Sequence, residues 1–279
     1  MSSKIFDESI RDLYIKDEYI KKNPSLHEED SEWKIHKIIP LVDMLIKKNY
    51  INSYEINLLD VGGGAGLILK EISNYIESFY KIRVNRYALD LSPGMLAVQG
   101  KNNPNAQLLN EDICRTSLRN KEIDIVLMID VIEHIPNSAK ALQELGRISR
   151  FAIFKVPLED SLISNIWNFL KQGKPRQNAI DTIGHINIYN SINLKRLIEK
   201  NGGSILNSYF TNVYEYFLKN ELYAKRMNKK GKAINIIASY IFIVSPNICS
   251  YIFTDFLMIL VSYNERAACD MARHRMSPK

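Results

Sequence analysis

The sequence predicts a doubly wound α/β fold, with a mostly parallel sheet of seven strands and helices on both faces. Short apolar runs of strand length alternate with longer stretches in which apolar residues recur at helical spacing. The first run, Ile56 to Val61, stops at a group of glycines, and a helical stretch begins directly after them. Strands that alternate with helices need crossover connections, which leave the strands parallel and place helices on both faces of the sheet.

The helices of this alternation begin with an amphipathic one from about Glu29 to Lys48, which precedes the sheet. A second helix follows the first strand from Leu67 to Phe79, and Pro93 suits the first turn of the next one. Two more are predicted from Ser138 to Ser149 and from Leu194 to Lys200. The seven strands are predicted at Ile56–Val61, Arg86–Asp90, Ala106–Leu109, Ile123–Ile129, Phe151–Val156, Ile205–Phe210 and Phe256–Ser262.

The chain is expected to form one domain with an elaborated cap, and two loosely joined domains are the alternative. Residues 1–50 are predicted to be an N-terminal helical lid, and residues 51–157 the α/β core that binds a ligand. Residues 158–279 are predicted to complete the sheet and to carry two insertions, 158–191 and 212–254. Long insertions in α/β enzymes shape the substrate pocket, so we expect that role for these two.

Charge and cysteine content narrow the class of protein and its compartment. The formal net charge is +6, and basic residues are dense between Lys219 and Lys232. That run could attract an anionic substrate, nucleic acid or a membrane surface, or simply form a solvated helix face. Cys114, Cys249 and Cys269 are far apart and form no C-x-x-C pair, so no metal site is predicted and a reducing cytoplasm fits best. The N-terminus lacks the features of a secretory signal.

One stretch, Ala233 to Thr254, has no formal charge and is long enough to cross a bilayer. Ser245-Pro246-Asn247 interrupts it, and such a break is typical of a turn between two segments. We therefore predict two buried segments rather than a membrane span, and attachment to a membrane surface stays an alternative.

The glycine-rich turn Asp60-Val61-Gly62-Gly63-Gly64-Ala65-Gly66 is the strongest indication of function. It connects a predicted strand to a predicted helix, where backbone amides point at a ligand and glycine lets the ligand approach closely. The dinucleotide fingerprint G-x-G-x-x-G fails, because Leu67 or Leu69 occupies its last position. A P-loop is excluded, because no Gly-Lys-Ser/Thr follows.

The turn resembles the first motif of class I methyltransferases that use S-adenosylmethionine, D/E-x-G-x-G-x-G, which Asp60, Gly62, Gly64 and Gly66 match. The resemblance extends from about Ile56 to Pro157 and implies the Rossmann-like fold and this cofactor. S-adenosylmethionine is a cation without phosphates, so an acid at the strand end is useful where a pyrophosphate would be repelled.

Two further acids lie where the family has them. The resemblance implies that Asp90, at the end of the second strand, accepts hydrogen bonds from the ribose hydroxyls. It implies that Asp112 binds the adenine amino group while Ile113 packs against the ring, and that the backbone near Ile129 and Asp130 faces the methionine part. The cofactor-binding set implied in this way is Asp60, Gly62, Gly63, Gly64, Gly66, Asp90, Leu91, Met95, Asp112, Ile113, Ile129, Asp130 and Val131.

Methyl transfer is an in-line displacement, so the protein mainly aligns the reactants and excludes water. A hydroxyl acceptor benefits from a general base. His134, in the E-H segment after the fourth strand, and His185 are the candidate catalytic residues, and a structural role is the alternative for each. Asp130, Glu133 and Tyr189 are weaker candidates for the same role.

The resemblance implies an S-adenosylmethionine-dependent methyltransferase, and we expect a small-molecule acceptor. Nucleic acid is disfavoured as the acceptor, because no D/N-P-P-Y/F/W motif is present. The alternatives are a noncatalytic S-adenosylmethionine-binding scaffold, a nicotinamide oxidoreductase, and a methyltransferase at the membrane surface that acts on a lipid-linked substrate. The sequence predicts neither the acceptor atom nor the oligomeric state.

Overall fold

The computed structural model describes residues 28–264 together with Ile15. Cys269 and most of the first half of the predicted lid, 1–50, therefore lie outside the described residues. The seven strands are β1 (Glu55–Val61), β2 (Arg83–Leu89), β3 (Gln107–Leu109), β4 (Ile123–Ile129), β5 (Ser149–Leu158), β6 (Ser204–Phe210) and β7 (Asp255–Ser262).

The helices of the core alternate with these strands as the sequence predicts. Ser92 begins the helix after β2, because its side chain accepts a hydrogen bond from the backbone N–H of Met95 and Pro93 follows it. Asn137 begins the helix after β4 in the same way, through the N–H of Lys140. These helices are α1 (Ser31–Lys47), α2 (Leu67–Tyr75), α3 (Pro93–Asn102), α4 (Ser138–Ile148) and, after the first insertion, α7 (Ser191–Lys200).

The two predicted insertions are helical. The first carries α5 (Leu162–Leu170) and α6 (Lys174–Ile183). The second carries α8 (Val213–Lys219), α9 (Glu221–Arg226), α10 (Lys229–Val244) and α11 (Pro246–Ile252). Short turns of other helix types occur at Glu28–Asp30, Ile76–Tyr80 and Ile132–His134.

The strand order is β3-β2-β1-β4-β5-β7-β6, which confirms the predicted seven-stranded, doubly wound sheet. The five strands β3, β2, β1, β4 and β5 are parallel, and β7 is antiparallel to both β5 and β6. The order changes direction between β1 and β4, so the crossovers after these two strands leave on opposite sides. In open sheets of this type, a crevice forms there at the carboxyl ends of the strands.

Two apolar cores cover the two faces of the sheet. Successive residues of a strand point to opposite faces, so Leu58 and Ile125 pack with α1 and α2. Leu59 and Val126 pack with α4 and α7 on the other side. The central strands are apolar almost throughout because both faces are buried.

The apolar stretch from Ala233 to Thr254 differs from the prediction in one respect. The predicted break is confirmed, because α10 ends before Ser245 and α11 begins at Pro246. The predicted burial is wrong, since α10 packs through one side, which contains the buried Ala238, and leaves much of its apolar surface exposed. None of the described helices has both the length and the hydrophobicity that a membrane crossing requires.

Candidate functional site

A cavity of about 500 Å³ opens at the carboxyl ends of β1, β2, β4 and β5, at the point where the strand order changes direction. It brings together residues that the sequence places in separate motifs. The sequence-predicted residues that line it are Asp60, Gly62, Gly63, Gly64, Asp90, Leu91, Met95, Asp112, Ile113, Ile129, Asp130, Val131, His134 and His185.

The glycine turn forms one wall of the cavity. Gly62 and Gly64 have φ angles of 63° and 54°, in the left-handed region that favours glycine. A Cβ atom at Gly63 would collide with the carboxylate of Asp60, which lies against the turn. Gly66 is the one predicted cofactor residue outside the cavity lining, and its carbonyl accepts a hydrogen bond from Asn103 Nδ2 at 2.9 Å. Gly66 therefore joins the turn to α3.

Asp60, at the end of β1, is a buried acid that forms no ion pair with another described residue. Its side chain is 1% exposed, and Oδ2 has no hydrogen-bond partner among the described residues. Burial and the nearby Asp90 raise the pKa of Asp60 to about 7. A buried, unsatisfied carboxylate beside a cavity favours a cationic ligand, because the cation would compensate for the lost hydration.

Asp90 and Asp112 occupy the next two strand ends. The Asp90 carboxylate accepts a hydrogen bond from the N–H of Ser92 at 2.9 Å, and the Asp90 carbonyl accepts one from Asn110 Nδ2 at 3.0 Å. Asp112 Oδ1 accepts one from the N–H of Cys114 at 2.9 Å. These contacts to the backbone hold both acids in place at the cavity wall, 22 positions apart in sequence but at one edge of the sheet.

Asp130 has a positive φ of 57°. Two lysines lie beside its carboxylate, which the sequence motif does not reveal. Lys155 Nζ lies 2.6 and 2.7 Å from its two carboxylate oxygens, and Lys34 Nζ lies 3.1 Å from Oδ2. Burial alone would raise the pKa of Asp130, but these two lysines hold it well below its usual range. Lys34 also contacts Asp30, directly before α1, at 2.9 Å, so it joins the start of α1 to Asp130 at the end of β4.

The sequence prediction missed both lysines, although each lines the cavity. Lys155 is 1% exposed and lies within the apolar run of β5. A single charged residue in such a run indicates a buried ion pair, and this was the available signal. Lys34 gave no comparable signal, because a lysine on an amphipathic helix is ordinary.

Glu133, His134 and His185 lie together in the cavity lining. The ring of His134 lies 4.8 Å from the ring of His185, centroid to centroid, in an edge-to-face arrangement. His134 Nδ1 is 3.0 Å from the carbonyl oxygen of Gly184, and His185 Nδ1 is 2.8 Å from Glu159 Oε1. The loop that follows α6 thus brings His185 to His134. Glu159 was missed by the sequence prediction.

Glu133 and Tyr189 are the remaining candidate catalytic residues near the two histidines. The side chain of Glu133 is fully buried, and neither carboxylate oxygen has a hydrogen-bond partner among the described residues. Burial raises the pKa of Glu133 well above its usual value. Tyr189 is not part of the cavity lining, and its hydroxyl pairs with Ser138 Oγ at 3.0 Å.

Comparison with known proteins gives a family match over part of the chain. Residues 59–151 match a family model described as a methyltransferase domain, a span that runs from β1 into β5. None of the curated proteins matches the chain.

Solved structures of similar fold include two methyltransferases and a cyclase. A protein assigned as a sarcosine dimethylglycine methyltransferase from Galdieria sulphuraria is 15% identical, with a TM-score of 0.55 over 84% of this chain and 85% of that one. Geranyl diphosphate C-methyltransferase from Streptomyces coelicolor A3(2), solved with Mg²⁺, geranyl diphosphate and S-adenosyl-L-homocysteine, is 11% identical, with a TM-score of 0.54 over 80% and 77%. The [4+2]-cyclase SpnF is 11% identical, with a TM-score of 0.51 over 80% and 79%. At these identities the likeness shows the fold alone.

Residues 59–151 match a methyltransferase domain, and the sheet that contains them has the doubly wound, Rossmann-like strand order. S-adenosylmethionine is the cofactor that such domains use. Two features of the cavity fit that cofactor. The glycine turn leaves room for close approach to the backbone, and the unsatisfied acid Asp60 matches a ligand that is cationic and has no phosphates.

Proposed function

We propose that this protein transfers the methyl group of S-adenosylmethionine to a small-molecule acceptor by in-line displacement. The observation that supports it is one cavity whose lining includes the acids, the glycine turn and a histidine pair. The acids suit a cationic donor, and the histidines suit an acceptor that has to lose a proton. The fold alone does not carry this proposal, because a cyclase shares it.

The cofactor-binding roles are assigned to residues along the strand ends. In this proposal, Asp90 accepts hydrogen bonds from the ribose hydroxyls, and Asp112 binds the adenine amino group beside Ile113. The backbone from Ile129 to Val131 and the turn at Gly62 to Gly64 hold the methionine part. When bound, S-adenosylmethionine supplies an activated methyl group on a sulfonium.

The protein's own contribution is orientation, exclusion of water and, for a hydroxyl acceptor, proton removal. His134 Nδ1 faces a carbonyl oxygen and His185 Nδ1 faces a carboxylate, so in the neutral rings both Nδ1 atoms carry the proton. The basic lone pair is then on Nε2 of each ring. Ile129 and Val131 contribute apolar surface that keeps water from the reacting atoms.

Calorimetric titration with S-adenosylmethionine, S-adenosylhomocysteine and NAD tests the cofactor part of the proposal. We expect micromolar binding of the first two and none of NAD. Asp90→Ala is expected to weaken binding by about 2 to 3 kcal/mol, because hydrogen bonds to a charged group are lost. Glu199→Ala, an exposed acid on α7 away from the cavity, is the control and should bind normally. Binding of NAD alone, or equal affinity in Asp90→Ala, would contradict the assignment.

A second candidate function, methylation of a lipid-linked acceptor at a membrane surface, is favoured by an exposed apolar patch on α5, α10 and α11. These helices are contiguous, since α11 packs against both α5 and α10. Large exposed apolar patches on proteins mark binding sites for other proteins, membranes or ligands. The apolar patch consists of Leu162, Ile163, Ile166, Trp167, Phe169, Leu170, Ile234, Ile236, Ile237, Tyr240, Ile243, Val244, Ile248 and Tyr251.

The charge around the apolar patch indicates an anionic membrane as its partner. Lys229, Lys230 and Lys232 are exposed at the start of α10, and no ion pair with another described residue engages them. Lys171 and Lys174 follow α5. Basic residues beside exposed isoleucine and tryptophan are typical of helices that lie in the headgroup region of anionic membranes.

Sedimentation with vesicles tests this second function. We expect the protein to bind vesicles that contain phosphatidylserine and to bind less at high salt, because the lysine contribution is screened. Ile237→Ser combined with Ile243→Ser should reduce the bound fraction severalfold. Tyr54→Ser, which alters an apolar side chain exposed to 93% before β1, is the control. Equal binding by the double variant and wild type would reject the patch as a membrane site.

A further inference from the structure

Two histidines and a carboxylate lie close together in the cavity lining, and this set has the composition of a metal site. The ligand atoms of Glu133, His134 and His185 all lie within 4.8 Å of one another. We propose that these three side chains bind a divalent transition-metal ion. No metal site was predicted from the sequence, because the three cysteines are far apart and form no C-x-x-C pair.

The carboxylate of Glu133 is the observation that most requires a ligand. It is fully buried, faces the cavity and has no hydrogen-bond partner among the described residues. The lysines nearby do not neutralise it, since Lys155 and Lys34 both bind Asp130. A buried carboxylate without a partner is costly, and a bound cation removes that cost.

The groups behind the histidines are those that orient metal ligands. His185 Nδ1 lies 2.8 Å from Glu159 Oε1, and His134 Nδ1 lies 3.0 Å from the Gly184 carbonyl oxygen. Histidines that bind metals almost always donate their second N–H to a carboxylate or a carbonyl, which fixes the ring and raises its basicity. This arrangement leaves Nε2 of both rings as the ligand atoms.

The distances are within reach of coordination. His134 Nε2 lies 3.9 Å from Glu133 Oε1. Ligands at about 2.0 to 2.2 Å from a common tetrahedral ion are about 3.4 Å apart. A contraction of roughly half an ångström between these two atoms reaches that spacing, and the widest pair of the set, at up to 4.8 Å, needs about 1.4 Å.

The donor set restricts both the metal and the acceptor. Two imidazoles and one carboxylate suit zinc and other first-row transition metals better than calcium or magnesium. Three protein ligands would leave coordination positions open to a further ligand. Oxygen donors fill such positions, so the acceptor class is a small molecule with neighbouring hydroxyl groups.

This acceptor assignment rests on the proposed methyltransferase function, whereas metal binding itself does not. A metal at this position lowers the pKa of a hydroxyl that it contacts. The acceptor oxygen would form its bond to the methyl carbon as the carbon–sulfur bond breaks, and the hydroxyl proton would pass to water. The histidines would then serve as ligands, and no histidine would have to remove the proton.

Titration of the chelator-treated protein with Zn²⁺ by calorimetry, and with Co²⁺ by visible absorption, tests the site. We expect one Zn²⁺ per chain, with micromolar affinity or tighter, and Co²⁺ bands that Zn²⁺ abolishes. His185→Ala and Glu133→Gln should each weaken binding at least tenfold. Glu159→Gln should weaken it about 10- to 100-fold, because Glu159 orients His185. His36→Ala, an exposed histidine on α1, is the control and should bind as wild type does.

S-adenosylmethionine binding, measured on the same samples, separates this inference from the proposed function and shows that each variant is folded. Cofactor binding without Zn²⁺ binding in the wild type would overturn the metal site and leave the methyltransferase proposal intact. Zn²⁺ binding without cofactor binding would do the reverse. Unchanged stoichiometry and affinity in His185→Ala would also overturn the metal site, since the ion would then be held elsewhere.

Discussion

Asp60 links cofactor binding to pH. Burial and the nearby Asp90 raise the pKa of Asp60 to about 7 in the free protein, so its carboxyl is about half protonated at neutral pH. A bound cation would favour the ionised form, and binding would therefore release protons. Affinity should then fall as the pH falls below 7, because the proton competes with the ligand.

We expect the dissociation constant for S-adenosylmethionine to rise about five- to tenfold between pH 7.5 and pH 6. Titrations in buffers of different ionisation enthalpy should show proton release near pH 6.5. Asp60→Asn cannot titrate at this position and should lose most of the pH dependence. If wild type and Asp60→Asn show the same pH profile, Asp60 does not interact with the charge of the cofactor.

Single residues were predictable where a local motif contains them. Asp60 and Asp90 each lie at the end of a predicted strand, so their position at a strand end follows from nearby sequence. The roles of Lys34 and Glu159 could not be predicted, because each depends on a partner from a distant segment. No periodicity or spacing reports which of many surface charges will meet inside the fold.

Helix α1 is joined to the sheet by a buried charge. Lys34 is 6% exposed and binds both Asp30 on its own side and Asp130 at the end of β4. Removal of one member of a buried ion pair costs about 3 to 5 kcal/mol when the other is left unpaired. Asp130 keeps Lys155, so the cost of losing Lys34 is smaller.

We expect Lys34→Met to lower the free energy of unfolding by about 2 kcal/mol, since the apolar stem is kept and the charge is lost. Urea unfolding at pH 7 measures it. Lys47→Met, on the same helix, is the matched control, because Lys47 forms an exposed pair with Asp43. That change should cost less than about 1 kcal/mol. Equal losses in the two variants would mean that the buried contact of Lys34 contributes little.

Elements were predictable to different degrees. Strands such as β4 were located from their apolar runs because burial on both faces leaves few alternatives. The environment of the apolar part of the insertion 212–254 was not predicted correctly. Apolar composition predicted burial for Ala233 to Thr254, whereas α10 contacts the rest of the fold along one side only. Composition does not distinguish a core-facing residue from one that faces a membrane or another partner.

At the scale of the whole molecule, the cavity is formed by segments that are far apart in sequence. Strand ends from β1 to β5, helix α1 and the loop after α6 all contribute to it. A ligand bound there contacts both sides of the point where the sheet changes direction. Because such a ligand binds the folded chain and not the unfolded one, it should stabilise the entire fold.

S-adenosylmethionine at 100 times its dissociation constant should add about 2.7 kcal/mol, which for a chain of this size corresponds to a rise of about 5 to 10 °C in Tm. Gly64→Val should lose this rise, because valine cannot adopt the φ of 54° without strain and would fill space beside the cavity.

Gly173→Val is the matched control. Gly173 has a φ of 81°, so valine is strained there too, but nothing lies within 4 Å of its Cβ position and it does not line the cavity. Without ligand, both variants should therefore have a lower Tm than wild type. When S-adenosylmethionine is added, the Tm of Gly173→Val should rise as that of wild type does, and the Tm of Gly64→Val should not. A full rise in Gly64→Val would place the cofactor away from the glycine turn.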